Sequence, residues 1–218
     1  MGKAAEVIRF YTLCNRLKDV VRSGWKVWHV KRERLESIAE HIYGVQMLAI
    51  AMWSEYQYEL DIEKVIMMLA VHELEEIKIG DFALFEIETE EKLEKGHAAV
   101  EQVLDGLTSR DKIRELVFEF DERKTAEAKF AYSCDKLEAD LQCCLYDSEG
   151  DVDLAKQEGN HLMETEQIRN GLEKEETWSK MWLKYSQGAY RYDENFMEVS
   201  EFAYKNGVKS EKSSASVC

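Results

Sequence analysis

The chain has 218 residues, 45% of them hydrophobic and 33% charged, with no proline and a formal net charge of -15. That length supports one domain whose core needs no disulfide or structural metal, and the composition excludes a disordered chain. The acidic field opposes nucleic acid and anionic membrane surfaces as partners, whereas a small anionic substrate needs only a few local cations.

The start, Met1-Gly2-Lys3-Ala4-Ala5-Glu6, lacks the apolar core of an export signal, and no later run is long enough to span a bilayer, so a cytoplasmic location is expected. Cys14, Cys134, Cys143, Cys144 and Cys218 are odd in number and form no C-x-x-C pair, the pattern of reduced core thiols rather than of a disulfide framework.

In chain order, Val7, Phe10, Cys14 and Leu17 recur at helical spacing and predict a helix from about Ala4 to Lys18. A loop from Asp19 to Leu35 follows, and its Arg22, Trp25, Lys26, Trp28, Lys31, Arg32 and Arg34 make it the densest cationic stretch and a candidate anion site. Ser37 and Glu40 have the spacing of a capping box, opening a helix to about Glu55 with Ile38, His41, Val45, Leu48 and Met52 on its inner stripe. Asp61 is a suitable N-cap for a second long helix carrying Val65, Leu69, His72 and Glu76 on one face, with Gly80 able to end it in a left-handed conformation. Further helices are predicted over Thr89 to Leu107, Ser109 to Phe120 and Glu127 to Tyr146, the last with Asp135 and Glu138 beside apolar residues. After a loop to Asp153, helices are expected over Leu154 to Ile168, around Trp178, Met181, Trp182 and Tyr185, and around Phe196, Val199 and Phe202. The expectation is an all-α single domain over residues 1–208, with a motif core at about 10–146, C-terminal helices within 154–205 and a disordered tail at 209–218.

Chemistry concentrates in His72-Glu73-Leu74-Glu75-Glu76 and the following Gly80-Asp81. A lone histidine on an apolar stripe is ordinarily a satisfied core residue. His41, His72, Glu73 and Asp135, however, lie on or beside three inward stripes, and two imidazoles with two carboxylates are the mixed donors a catalytic divalent metal uses. Sharing one ion would give each of these costly buried groups its partner at once. Glu76, one turn past His72, is in reach of a water or leaving group, whereas Glu75 reads as a solvated surface charge and His97 as core packing.

The order His41, His72 with an acidic neighbour, then Asp135 resembles the H…HD…D signature of HD-domain metal-dependent phosphohydrolases. Arg22-Ser23-Gly24-Trp25, Glu36-Ser37-Ile38-Ala39-Glu40-His41, His72 to Glu76 with Gly80-Asp81, and Ala128-Lys129-Phe130 with Cys134-Asp135-Lys136-Leu137 are similar to the bacterial 5′-deoxynucleotidases and their eukaryotic relatives. The resemblance runs from about Phe10 to Leu145. It implies an HD-domain helical bundle that cleaves deoxyribonucleoside 5′-monophosphates, small nucleotides, to deoxynucleoside and phosphate, as a homodimer. It also implies one divalent metal per subunit, drawn from cobalt, manganese, iron, zinc, nickel or magnesium, on His41, His72, Glu73 and Asp135. Glu76 would match the catalytic glutamate, Asp81 the aspartate that disfavours a 2′-hydroxyl, Arg22 the phosphate-holding arginine and Trp25 the tryptophan beside the sugar. Glu73 departs from the family's aspartate by one methylene, which bears on metal choice and rate. A dinuclear site would need further histidines before Asp135, where only His97 occurs, so a mononuclear one is expected. A deoxynucleoside triphosphohydrolase and a catalytically impaired nucleotide-binding or regulatory protein are the alternatives.

Overall fold

In the computed structural model, which describes residues 2–210, the apolar periodicities become helices along most of the chain. They run α1 (Lys3–Cys14), α2 (Ser23–Val27), α3 (Ile38–Tyr56), α4 (Ile62–Val71), α5 (Glu76–Ile79), α6 (Thr89–Leu104), α7 (Arg110–Glu122), α8 (Ala126–Ser148), α9 (Glu166–Lys174), α10 (Trp178–Ala189) and α11 (Glu194–Asn206), with 3₁₀ turns at Asn15–Lys18 and His161–Glu164. Among the described residues there is no strand, only an isolated antiparallel bridge between Val21 and Ser37, so the fold is all-α. No helix among them is long and apolar enough to cross a membrane. Of the predicted disordered tail, residues 211–218 lie outside the described residues.

The longest helix, α8, is the axis of the bundle, packing against α3, α4, α7, α10 and α11. Its inner face supplies Ala128, Ala131, Cys134 and Leu137 to a core completed by Val45 and Ala49 of α3, Val65 and Leu69 of α4, and Phe196 of α11. A second core joins Ile38 and Val71 to Val100, Val103 and Val117, and a third stacks Trp25, Trp28 and Trp178 over Tyr146 and Cys143. Local signals seat the site-bearing helices on this frame. The Ser37 and Glu40 capping box closes in both directions, and Asp61 accepts from the Lys64 N–H at 3.0 Å, fixing where α3 and α4 begin.

Three elements differ from the sequence expectation. The helix expected to run unbroken to Gly80 stops at Val71, with His72 as its C-cap, and resumes only as the single turn α5. Between them the Leu74, Glu76 and Ile77 N–H groups bond to carbonyls three residues back, a tighter winding than an α-helix, as befits a stretch whose side chains converge on one point. Gly80 does take a positive φ of 75°, but with ψ 174° it closes α5 in an extended rather than left-handed helical conformation. The predicted loop at Asp19 to Leu35 holds the short α2, and the predicted helix over Leu154 to Ile168 is turns and a 3₁₀ segment, with α9 starting at Glu166. Gln157 and Asn160 account for the latter. Gln157 Nε2 donates to the Trp28 and Asp153 carbonyls, and Asn160 caps the 3₁₀ turn, side-chain bonds that compete with a helix.

Candidate metal centre and its cavity

Three helices deliver four polar side chains to one buried point: His41 from α3, His72 and Glu73 from the end of α4, and Asp135 from α8. Each offers a donor atom within 4.8 Å of the other three. His41 Nε2 lies 3.0 Å from Asp135 Oδ1 and 3.8 Å from Glu73 Oε1, while His72 Nε2 lies 3.5 Å from Glu73 Oε1 and 3.9 Å from Asp135 Oδ1. Both rings are turned by bonds on their far nitrogens. His41 Nδ1 is 2.6 Å from Glu138 Oε2, and His72 Nδ1 is 2.8 Å from the Leu69 carbonyl. With a proton on each Nδ1, a cation at the cluster would take the place of any proton on Nε2 and meet its lone pair, the arrangement that prepares imidazole for a metal.

The electrostatics suit a cation. Burial and Arg22 work against charge on His41, but Glu138 and Asp135 outweigh them and raise its pKa to about 9. Burial opposes ionisation of Asp135 too, yet Lys136, His41 and His72 hold its carboxyl well below the usual range. His72 goes the other way, burial lowering its pKa, and its Nε2 is buried with no hydrogen-bond partner. A buried unpaired nitrogen facing two carboxylates calls for a positively charged partner. The set fits one divalent cation held by mixed nitrogen and oxygen donors.

Glu76 is 2% exposed, with Oε1 3.6 Å from Lys92 Nζ and Oε2 unpartnered. Burial, then Glu73 and Asp81, push its carboxyl well above the ordinary range. Glu75 is not the solvated charge expected of it. Its Oε2 is buried without a partner, and burial followed by Glu73 keeps its carboxyl well up, because the tight turn after His72 folds it back against α6. His97 stands apart from the cluster, half-buried, with Nε2 2.8 Å from Asp121 Oδ2 and its ring stacked on Phe118.

A cavity of about 610 Å³ is lined by Arg22, Trp25, Asp81, Lys92 and Lys136. Arg22 Nη1 is 3.7 Å from Glu73 Oε1 and Lys136 Nζ 2.8 Å from Asp135 Oδ2, so the cavity abuts the cluster. Asp81 Oδ2 accepts from the Ser23 N–H at 2.6 Å and the Ser23 hydroxyl at 2.9 Å, which fastens the Arg22 turn in place. Trp25 is buried, its indole N–H donating to Glu36 at 2.7 Å. A second cavity of about 600 Å³ approaches His41 from the opposite, Nδ1 side and is lined by Glu36, Glu138 and Tyr146.

Of the cationic stretch at 19–35, only Arg22 reaches the cluster. Arg32 pairs with Glu149 and Asp151, Lys31 with Asp153, and Arg34 with Glu40. Glu36 and Lys136 fall within the motif stretches but had no role assigned to them, and Lys92 and Glu138 lie outside those stretches. One signal was available for Glu138. Gly44 sits in the middle of α3, where glycine costs roughly 1 kcal/mol, and a Cβ there would overlap the Glu138 carboxylate.

Fold and site together define a class: an all-helical protein with a buried cluster of two histidines and two carboxylates, fit for one divalent cation, that abuts a cavity lined in part by cations. The HD domain model matches residues 14–178, and the chain belongs to the HD-domain family. It is 31% identical over 149 residues to the 5′-deoxynucleotidase HDDC2 of Mus musculus, a match covering 67% of this chain and 72% of that one. A solved protein of Pyrococcus horikoshii OT3 shares the fold with a TM-score of 0.61 and 22% identity, covering 91% of this chain and 98% of its own. A predicted metal-dependent phosphohydrolase from Magnetospirillum magnetotacticum MS-1 superposes with a TM-score of 0.57 and 25% identity, over 69% of this chain and 76% of that one.

Proposed function

We propose that the protein hydrolyses deoxyribonucleoside 5′-monophosphates to deoxynucleoside and phosphate. The observation that carries this reading is the abutment of the His41, His72, Glu73 and Asp135 cluster on a cavity whose nearest residues, Arg22, Lys92 and Lys136, are cations. The relatives named 5′-deoxynucleotidase support the choice of substrate. Those four side chains would hold one divalent ion, cobalt or manganese among the candidates, which when bound supplies Lewis acidity and an acidified water.

The chain's own residues do the rest. Arg22 and Lys136 offset charge on the phosphoryl oxygens, acting from a site largely shielded from water. Water oxygen bonds to phosphorus as the bond to the 5′-oxygen breaks, Glu76 delivers its proton to that leaving oxygen, and the proton lost by the attacking water passes to the released phosphate. Lys92, beside Glu76, holds the resulting carboxylate in place. Asp81 lies against the sugar, where a further hydroxyl would crowd it, and Trp25 forms the wall behind. A homodimer is part of the same reading. Tyr43, Met47, Ile50 and Trp53 expose one side of α3 at helical spacing, an apolar stripe suited to a second copy.

Metal-stripped protein titrated with a panel of divalent ions and offered deoxynucleoside mono- and triphosphates and cyclic nucleotides tests the activity. Phosphate release from the monophosphates is expected. Release confined to triphosphates, or none at all, overturns the reading. Light scattering tests the dimer, which Met47→Glu with Ile50→Glu should dissociate.

A further inference from the structure

The cavity that holds the cations is also lined by α10, which contributes Trp182 and Tyr185 one turn apart, and by Tyr190 just after it. All three rings are half-buried, whereas Trp178 and Met181 on the same helix are closed into the core. Trp182 and Tyr185 meet edge to face at 5.3 Å, and Trp182 is braced in the same manner by Trp28 at 5.9 Å, so the pair is held rigidly. Tyr190 meets Tyr132 at 5.9 Å, with Lys136 Nζ within 5.0 Å of the Tyr132 ring centroid. Ser186 pins the wall in place, its hydroxyl donating to Asp140 Oδ1 of α8 at 3.0 Å from a buried position.

A ligand filling this space meets both cations and flat aromatic surface. We propose that Trp182 and Tyr185, with Tyr190, form the subsite that takes the nucleobase, by stacking rather than by hydrogen-bond readout, and so set which bases this enzyme accepts. The inference rests on the nucleotide reading of the cavity and deepens it. Two features favour a base over simple helix packing. Packed core aromatics are closed from solvent, as Trp178 is, while these rings stay partly open on the cavity side. Stacking is also the recognition available where the wall offers π surface, and it tolerates different bases while favouring the larger. The HD domain match ends at Trp178, before all three residues. Base preference on this wall is therefore a property of this chain's own C-terminal helices, not one carried by the matched family core.

The decisive comparison pairs a substrate that has a base with one that lacks it. The wild type, Trp182→Ala, Tyr185→Ala and the conservative Trp182→Phe are assayed on deoxyadenosine 5′-monophosphate and on deoxyribose 5-phosphate, with melting curves to establish that each variant is folded. The alanine variants should raise KM for the nucleotide by about five- to a hundredfold with little change in kcat. They should leave kcat/KM for the sugar phosphate unchanged, and Trp182→Phe should restore most of the affinity. Calorimetric binding of deoxyadenosine, which carries no phosphate, should be lost in the alanine variants. Equal losses on both substrates, or equal wild-type kcat/KM for the two, overturn the base subsite while leaving the phosphohydrolase reading intact. If the wild type hydrolyses neither substrate, the activity reading fails, and deoxyadenosine binding alone decides the subsite: wild-type binding lost on Tyr185→Ala supports it, and absence of binding overturns it.

Discussion

The two sides of the His41 ring are both buried and both face carboxylates, yet they are built differently. On the Nε2 side, Asp135 and Glu73 have cations against them, Lys136 at 2.8 Å and Arg22 at 3.7 Å, and a cavity opens beyond. On the Nδ1 side, Glu138 takes the ring nitrogen itself, and its neighbour Glu36 accepts from the Trp25 indole. Burial and then Glu138 push Glu36 up to about 7, so the rear pair shares its negative charge reluctantly. Carboxylates backed by cations and facing an open cavity suit an exchangeable ligand, whereas carboxylates pinned by ring N–H groups suit a fixed one. The front side binds, and the rear side aims the ring that does the binding.

The largest test is to break the front. His72→Ala and Asp135→Ala should each abolish tight metal binding, lowering affinity by roughly a thousandfold or more, since each removes one of four donors. Metal content of the purified variants and competition against a chelator measure this. Retained stoichiometric metal in either variant would place the ion elsewhere, and loss only on changing Glu138 or Glu36 would reverse the assignment of the two sides.

Next in size is Glu76→Gln, which keeps the shape of the side chain and removes its proton. On the proton-transfer role assigned to it, kcat should fall by about 10²- to 10⁴-fold with metal content unchanged. Metal loss in parallel with activity would make Glu76 a ligand instead.

Glu138→Gln sharpens the rear half of the comparison. The amide oxygen still accepts from His41 Nδ1, but the charge is gone, and metal affinity should weaken by about 10- to 100-fold. Gly44→Ala should move affinity in the same direction, because the added Cβ displaces Glu138 without touching any donor. No change in either variant would reduce Glu138 to a packing residue.

What the sequence revealed follows the same division. The helices were legible because an apolar stripe is a local, periodic signal, as in α3, where the capping box also marks the first residue. The cluster at His41, His72, Glu73 and Asp135 was visible because these polar residues interrupt apolar stripes. Glu75 was misjudged because its neighbours in sequence suggest an exposed helix face, and only the tight turn after His72 turns it inward. Lys92 is an ordinary charged residue in charged surroundings, Glu36 and Lys136 sit inside motif stretches that say nothing of what they touch, and Glu138 is far in sequence from both His41 and His72. Their roles arise from which helices meet, a relation that no local window contains.

The smallest predicted effect concerns a carboxylate that has neither a ring nor a cation in contact with it. Asp140 is buried, with the Ser186 hydroxyl on Oδ1 and no partner on Oδ2. Burial drives its carboxyl well above the ordinary range, opposed only in part by Ser186 and Lys136. A group raised in this way favours the folded state fully below its unfolded pKa of about 3.9, and that contribution is lost as pH climbs through the folded value. Asp140→Asn retains the acceptor for Ser186 and has no proton to lose. The variant should therefore melt close to the wild type at about pH 4 and above it at about pH 8, by about 2–4 °C for each kcal/mol relieved. Glu75 and Glu76 are raised too, but they are common to both proteins and cancel in the difference. A variant that melts lower at about pH 8 would mean that Asp140 is ionised and paired in the fold, making it a third front-side carboxylate.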